Sequence, residues 1–260
     1  MKRNTLFLLL ALFLLFLPVF TKADVLYDID FSSPTHTVGS QMTTGEGSPP
    51  RDTPTASVFG DQIVRDSFGT LTEQPVELIP DDSGYHMPYS QFRLDANFAG
   101  DYPAYRLDFD VYLENFTTGS DDDFVVIFDT PSVVRLDLNS EGNIVENGYL
   151  TGPSGTIIGS FDFGETVSMS AIVDLEDNLW SIYCNSNHLW TGQFFHTSQA
   201  YPELPDIIDD IRFNLQNDTD FPSIPLCAVD NIQLTGLPEP ATVLLLGLGG
   251  LLLRRKNKTF

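Results

Sequence analysis

Residues 167–175 read Val-Ser-Met-Ser-Ala-Ile-Val-Asp-Leu, with an apolar side chain at every second position from Val167 to Leu175. This period of two predicts a half-buried β-strand, because successive strand side chains point to opposite faces of a sheet. The polar turn Glu176-Asp177-Asn178 follows, and the chain then returns through an alternating segment that contains Trp180, Ile182 and Cys184. A second turn, Asn185-Ser186-Asn187, leads into Leu189-Trp190. The stretch therefore predicts a three-stranded antiparallel meander.

The same short-period pattern recurs along most of the chain. Further predicted strands are Asp24–Phe31, Tyr105–Leu113, Phe124–Phe128, Val134–Leu138, Ile144–Val145, Ile211–Leu215 and Leu226–Leu234, and short apolar pieces lie at Ala56–Val64 and Val76–Ile79. The continuous apolar run Phe124–Phe128 indicates a strand that is buried on both faces. No segment repeats apolar residues at helical spacing over three turns. The prediction is an all-β domain, an antiparallel β-sandwich.

Two segments carry a resemblance to a known fold family. The meander from Phe163 to Gly192 resembles the late hairpins of concanavalin A-like and laminin G-like jelly-roll domains. Val229-Asp230-Asn231-Ile232 resembles the closing strand of such secreted sandwiches. The likeness covers roughly Ala104 to Thr235, and it implies a jelly-roll-like arrangement of the two sheets.

The last 23 residues form a separate unit with three parts. They are Pro238-Glu239-Pro240, the apolar run Ala241–Leu253, and the basic cluster Arg254-Arg255-Lys256. The prolines end the preceding strand, and the apolar run would span only about 20 Å as a helix, against roughly 30 Å of hydrocarbon. The order and spacing of the parts resemble the PEP-CTERM sorting signal of Gram-negative bacteria. That resemblance implies recognition by an exosortase, cleavage near Pro238–Pro240 and a transient stay in the inner membrane. An ordinary single-pass anchor is the alternative.

The N-terminus predicts export as well. Lys2 and Arg3 precede the apolar run Leu6–Leu17, and small residues up to Ala23 suit a signal peptidase. The expected organisation is thus a signal peptide at 1–23, a β-sandwich domain at 24–237 with a long polar loop at 32–54, and the sorting segment at 238–260.

The charge of the expected mature body is strongly negative. Of 13 Lys+Arg in the chain only six, all arginine, lie between residues 24 and 237, whereas 35 of the 36 Asp+Glu lie there, which gives a net charge of −29. Such a surface repels nucleic acid, whose binding needs basic contacts to phosphate. It suits solubility outside the cell, divalent cations or cationic polymers.

The two cysteines, Cys184 and Cys227, are an even count in a chain expected to enter an oxidising compartment. A disulfide between them is one prediction, and it would contribute on the order of 3–4 kcal/mol. Two buried free thiols are the alternative.

The motifs of common hydrolases are not found. Retaining glycosidases of this architecture place two glutamates on one strand, and no such string occurs here. Asp108 and Asp110 share a strand face, which we interpret as a solvated acidic face. The four histidines have no metal-binding spacing, and there is no Gly-x-Ser-x-Gly elbow or phosphate loop. The chain is therefore predicted not to be an enzyme.

Two further hypotheses concern ligands. Calcium could be bound by the acidic turn Asp121, Asp122 and Asp123, or by Asp206, Asp209 and Asp210, because hard cations prefer oxygen ligands; no other cofactor is expected. Sugar could be bound by aromatic residues near turns, for which the candidates are Tyr85, Tyr89, Tyr102 and Trp190.

These observations predict a non-enzymatic, exported protein of the cell surface or extracellular matrix of a Gram-negative bacterium. Its partners would be signal peptidase, an exosortase-type enzyme and an extracellular polysaccharide, with no nucleic acid. The alternative is a carbohydrate-binding, lectin-like module on the same export route, and the third hypothesis is an unrecognised glycoside hydrolase.

Overall fold

The computed structural model describes residues 23–31, 36–45, 50–80, 89–95, 102–120, 122–129, 133–147, 155–194, 208–217 and 225–237. These residues form fifteen β-strands and no helix. The strands are β1 (Asp24–Ile29), β2 (Ala56–Phe59), β3 (Asp61–Val64), β4 (Val76–Ile79), β5 (Tyr89–Asp95), β6 (Ala104–Glu114), β7 (Asp123–Asp129), β8 (Val133–Asn139), β9 (Asn143–Asn147), β10 (Thr156–Ser160), β11 (Thr166–Asp174), β12 (Leu179–Cys184), β13 (Asn187–Gln193), β14 (Asp210–Gln216) and β15 (Leu226–Leu237).

The strands form two antiparallel sheets. Sheet A has the order β13-β12-β11-β6-β15-β4-β3, and β1 pairs with the second half of β15. Sheet B has the order β10-β9-β8-β7-β14-β5-β2. Strands distant in sequence are neighbours in both sheets, as when β15 pairs with β6 and β14 lies between β7 and β5. The predicted all-β, antiparallel sandwich is confirmed.

The core lies between the sheets and is rich in phenylalanine. Phe92 stacks on Phe213 at a ring-centroid distance of 4.9 Å, and Phe109 of sheet A meets Phe213 edge-on at 5.2 Å. These rings are at most 2% exposed. Aromatic pairs in such geometries contribute about 0.5–1.5 kcal/mol beyond the area they bury. The inward faces of both sheets are thus joined by direct aromatic contact.

The meander is formed as its alternation predicts. Val167, Met169, Ala171 and Val173 are buried, and each is paired with a buried residue of β6 or β12. The Asn185–Ser186 turn closes without glycine, with φ of 48° and 64° at the two residues. Both values lie in the left-handed region that two-residue hairpin turns require.

Three details of the strand prediction are corrected. Strands β5 and β10 were not predicted. The apolar piece Ala56–Val64 forms two strands, because the chain passes from sheet B to sheet A at Gly60. There φ is +65°, and a Cβ atom would lie 2.5 Å from the Ile79 carbonyl oxygen. Only glycine fits this corner without displacement.

The polar loop 32–54 contains no strand in its described parts, 36–45 and 50–54. It is nevertheless fastened to the sandwich at Arg51, which is 8% exposed. The Arg51 backbone exchanges two 2.9 Å hydrogen bonds with the carbonyl of Leu26 and the N–H of Asp28. Its guanidinium donates to the Tyr27 hydroxyl at 3.1 Å. The loop is therefore anchored on β1.

Of the two alternatives for Cys184 and Cys227, the structure has the buried free thiols and not the disulfide. Cys184 lies on β12 and Cys227 on β15, with β11 and β6 between them in sheet A. Three strand spacings alone separate the residues by roughly 14 Å across the sheet, well beyond the Cα separation that a disulfide allows. Sequence separation gave no indication of this distance.

The predicted signal peptide and sorting segment lie almost entirely outside the described residues. Ala23 is exposed just before β1, whereas residues 1–22 and the sorting residues Pro238, Glu239, Pro240, Arg254, Arg255 and Lys256 lie outside the described residues. The predicted C-terminal apolar helix falls there too. The described part of the chain contains no helix that could cross a membrane.

Candidate functional site

The outer face of sheet A carries an ordered array of polar side chains. Antiparallel register aligns one row across five strands, which consists of Tyr183, Ser170, Asp108, Gln233 and Asp28. The next row contains Ser168, Asp110 and Asp230. Because the intervening residues of the same strands are buried in the core, all of these side chains belong to the opposite, outward face.

This face contains an open pocket of about 520 Å³, which we call the sheet A groove. Its outward-facing lining residues are Arg106, Asp108, Asp110, Ser168, Ser170, Ile172, Tyr183, Ser186 and Asn231. They come from β6, β11, β12, the β12–β13 turn and β15. The groove therefore crosses the middle of the sheet, where the strands hold the lining residues at fixed register.

One end of the groove contains an ion pair. The Arg106 guanidinium donates to both carboxylate oxygens of Asp108, at 2.8 to 3.0 Å. These hydrogen bonds are the main reason that the pKa of Arg106 is raised, with a smaller contribution from Tyr183. Half of the Arg106 side chain is exposed, so the pair is fixed in geometry yet reachable by a ligand.

Asp110, at the other end, is held by two neutral donors. Ser168 donates its hydroxyl to Oδ1 at 2.5 Å, and Asn231 donates its side-chain amide to Oδ2 at 2.9 Å. Asp110 takes no part in the ion pairs found among the described residues. Since a carboxylate offers about four lone-pair sites, Asp110 retains acceptor capacity toward a ligand.

Tyr183 is the aromatic residue of the groove. Its ring meets the His188 ring edge-on at 5.2 Å, and His188 in turn hydrogen-bonds to Thr191 at 2.8 Å. Ile172, one row along on β11, adds an apolar patch beside it. An aromatic ring and an aliphatic side chain among hydrogen-bonding groups can contact the C–H face of a sugar as well as its hydroxyls.

A bulge in β15 shapes the floor near Asp110. The register between β15 and β6 shifts between Asp230 and Gln233, and Asn231 adopts φ of 52° there. Asn231 thereby connects two acids, because its backbone N–H donates to Asp230 Oδ1 at 2.8 Å while its side chain donates to Asp110. Such bulges commonly redirect a side chain next to a binding site.

Asp230 itself, beside this bulge, is buried, at 1% exposure. Burial raises its pKa to about 7, and the negative charges of Asp110, Asp30 and Glu73 add to the increase. The hydrogen bond from Asn231 opposes the increase only in part. Asp230 is thus a buried acid close to the groove but out of reach of a bound ligand.

Two of the four aromatic residues proposed from the sequence, Tyr102 and Trp190, can be placed, and neither lines the groove. Trp190 is half-buried on β13 and lies edge-on to buried Trp180 at 5.9 Å. The Tyr102 ring covers Gly236, its hydroxyl donates to Asp24 at 2.9 Å, and burial together with this bond raises its pKa to about 12. Tyr85 and the side chain of Tyr89 lie outside the described residues.

The described part of the chain contains no group of acids that could form the calcium site suggested by the sequence. No three His, Cys, Asp or Glu residues there are grouped so as to hold a metal ion. Asp122 is fully buried and accepts the Ser120 hydroxyl at 2.7 Å, and Asp123 begins β7. Asp209 is exposed beside β14, while Asp210 is bound by Arg212 at 2.8 Å. Asp121 and Asp206 lie outside the described residues.

Sequence reasoning identified the shared face of Asp108 and Asp110 but not their partners. Ser168, Tyr183 and Asn231 were overlooked as site residues. The alternating pattern indicated the outward orientation of two of them, because Ser168 and Tyr183 occupy the non-apolar positions of the meander. Asn231 carried no comparable signal, since its role depends on the bulge.

Comparison with known proteins finds similarity in three-dimensional structure but not in sequence. No protein-family model and no curated protein sequence matches it. Among solved structures, it is similar to an endo-β-1,4-glucuronan lyase from the fungus Trichoderma reesei (9% identity, 75% of this chain and 93% of that chain, TM-score 0.49). It is also similar to the carbohydrate recognition domain of Emp47p (11% identity, 77% and 99%, TM-score 0.46). A third similar structure is a sialidase (12% identity, TM-score 0.46), where the match covers 68% of this chain but only 16% of the sialidase.

Proposed function

We propose that this protein is an exported, non-enzymatic surface or matrix protein whose sandwich binds an extracellular polysaccharide in the sheet A groove. The observation that carries the proposal is the groove itself. It is an open pocket across the middle of a rigid sheet, and charged, hydroxyl and amide groups surround Tyr183 and Ile172. The lectin-like alternative thereby becomes the main hypothesis, with export as its setting.

The arrangement of hydrogen-bonding groups supports a sugar ligand. Sugar hydroxyls both donate and accept, and the groove offers fixed acceptors at Asp108 and Asp110 together with a fixed donor at Arg106. These groups are oriented by their own hydrogen bonds before any ligand arrives, which lowers the entropy lost on binding. The lining residues come from four neighbouring strands, which leaves room for more than one sugar unit.

The state of the acids supports binding without catalysis. A glycosidase needs two carboxyl groups that both reach the scissile bond. Asp108 is engaged by Arg106, and Asp230, the acid next to the groove whose pKa is raised, is 1% exposed. Only Asp110 offers an accessible carboxylate without an ion pair in the described groove.

The proposal is tested by affinity electrophoresis and calorimetry of the purified protein against soluble glucan, mannan, xylan, chitosan and polygalacturonate. Tyr183→Ala should weaken binding about tenfold, or roughly 1.4 kcal/mol, because the aromatic ring that would contact the face of the sugar is removed. Tyr102→Ala is the matched control, because it removes the same side chain away from the groove. Equal losses in both variants, or binding to none of the polymers, would overturn the proposal, and release of new reducing ends would show an enzyme instead.

Export is tested separately by the intact mass of the protein recovered from its native cell envelope. A species that begins near Asp24 and ends near Pro238 supports signal peptidase and exosortase processing. A chain that retains Arg254–Lys256 would instead support a membrane-anchored sandwich.

A further inference from the structure

We propose that the groove selects a polysaccharide that bears free amino groups, with Asp110 as the residue that recognises the ammonium group. This inference rests on the proposed function and specifies the ligand class. It is argued from the charge of the sheet face, from the bonding of Asp110, and from the contrast between Asp110 and Asp108.

The outer face of sheet A is predominantly acidic. Its outward strand positions carry the carboxylates Asp28, Glu77, Asp108, Asp110, Glu114 and Asp174. Arg106 is the only lysine or arginine in the strands of this sheet, and Arg65, directly after β3, pairs with Glu77, so the acids of this face still outnumber the arginines. A face of this kind repels a polysaccharide of uronic acids and attracts a cationic one.

Asp110 is the residue of this acidic face that would bind the ammonium group directly. Its two donors, Ser168 and Asn231, are neutral, so they orient the carboxylate without cancelling its charge. It lines the groove next to Ser168 and Asn231, whose hydroxyl and amide can bond the hydroxyls that flank an amino group on a sugar ring. An ammonium group placed at Asp110 would form a charge-assisted hydrogen bond that a neutral hydroxyl or an N-acetyl group could not match.

Asp108 differs from Asp110 although it lies two residues away on the same strand. Its charge is neutralised by Arg106 through three hydrogen bonds. The ion pair therefore contributes polar contacts to any sugar, whereas Asp110 contributes an uncompensated negative charge. The groove has one position for the ammonium group, flanked by a general hydrogen-bonding surface.

The experiment is isothermal titration of the purified protein with three hexasaccharides at about pH 6. They are the β-1,4-glucosamine hexamer, its fully N-acetylated counterpart and a hexagalacturonate. The unmodified protein should bind the free amine about tenfold more tightly than the acetylated sugar, which corresponds to roughly 1.4 kcal/mol. Hexagalacturonate should bind weakest.

Variants assign the preference to a residue. Asp110→Asn keeps the shape and removes the charge, and it should reduce the preference for the amine to less than about threefold. Asp209→Asn makes the same change at an exposed position beside sheet B and should leave the preference intact. Should Asp110→Asn fail to fold, the unmodified protein still tests the idea, because raising the salt from about 20 to about 300 mM should weaken amine binding several-fold and leave the acetylated sugar nearly unchanged.

The outcomes separate this inference from the function on which it rests. Equal binding of the amine and acetylated sugars, or a preference that survives in Asp110→Asn, would overturn the inference while leaving a carbohydrate-binding groove. Binding of hexalysine as tight as that of the amino sugar would also overturn it, since charge alone would then suffice. A failure of all tested polysaccharides to bind would overturn the proposed function itself.

Discussion

Replacement of the buried acid Asp230 by asparagine tests the electrostatics beneath the groove. Asp230 is 1% exposed, and its folded-state pKa is about 7, against about 3.9 in an unfolded chain. The folded protein therefore holds a proton on this residue more tightly than the unfolded chain does. The resulting stabilisation is fully present below about pH 4 and is lost as the pH rises to about 7.

The size of the effect follows from the difference in pKa. About three pKa units correspond to roughly 3–4 kcal/mol of stability that is lost between pH 4 and pH 8. Asp230→Asn cannot ionise, and its side-chain oxygen can still accept the Asn231 N–H. The variant should gain stability relative to the unmodified protein as the pH rises. The gain should be less than about 1 kcal/mol from pH 4 to pH 4.5, and roughly 3 kcal/mol more from pH 4.5 to pH 8.

The assay is urea denaturation of both proteins at about pH 4.5, 6 and 8, with thermal melts in parallel. A gain of about 3 kcal/mol would raise the melting temperature by roughly 6–12 °C for a domain of this size. Asp209→Asn, an exposed carboxylate beside sheet B, should show no such trend. A constant offset between the proteins is expected from the extra amide hydrogens, so the pH dependence is the decisive quantity. A difference that stays flat with pH, or that falls toward pH 8, would refute the reasoning.

Three further predictions concern local structure. Ser186→Gly should raise the free energy of unfolding by about 0.5–1 kcal/mol, because Ser186 has a φ of 64° that glycine adopts without strain; a loss of stability in chemical denaturation would contradict this. Gly236→Ala should cost about 1–3 kcal/mol, since its Cβ would lie 2.6 Å from the Tyr102 ring, and an unchanged melting temperature would show that the ring moves freely. Cys184 and Cys227 should react with a thiol reagent only after unfolding, because burial raises the pKa of both thiols; a mass two hydrogens lighter, with no reactive thiol, would restore the disulfide.

Much of the fold was predictable because alternation reports which face of a strand is buried. The alternating residues of β6, β11 and β12 are buried as the pattern requires. Strand β10 was missed because, as an exposed edge strand, it has no buried side chain and hence no alternation. The break at Gly60 was missed because a corner between sheets depends on packing against Ile79 and Ser90, which are distant in sequence.

The site was less predictable because it depends on strand order. Tyr183, Ser170, Asp108 and Gln233 form one row only because β12, β11, β6 and β15 are neighbours. Nothing local to any of these strands specifies that order. The cysteines illustrate the same limit, since the arrangement of the sheet, and not their spacing in the chain, keeps Cys184 and Cys227 apart.

The central claim is that a polysaccharide binds across the outer face of sheet A. Amide chemical-shift mapping of the isotope-labelled protein, titrated with the tightest-binding oligosaccharide, tests it most directly. The account predicts shift changes concentrated at residues 106–110, 168–172, 183–186 and 230–233, with β7, β8 and β14 of sheet B unaffected. Changes centred on sheet B or on the Tyr102 end of the sandwich, or no changes at saturating sugar, would contradict it.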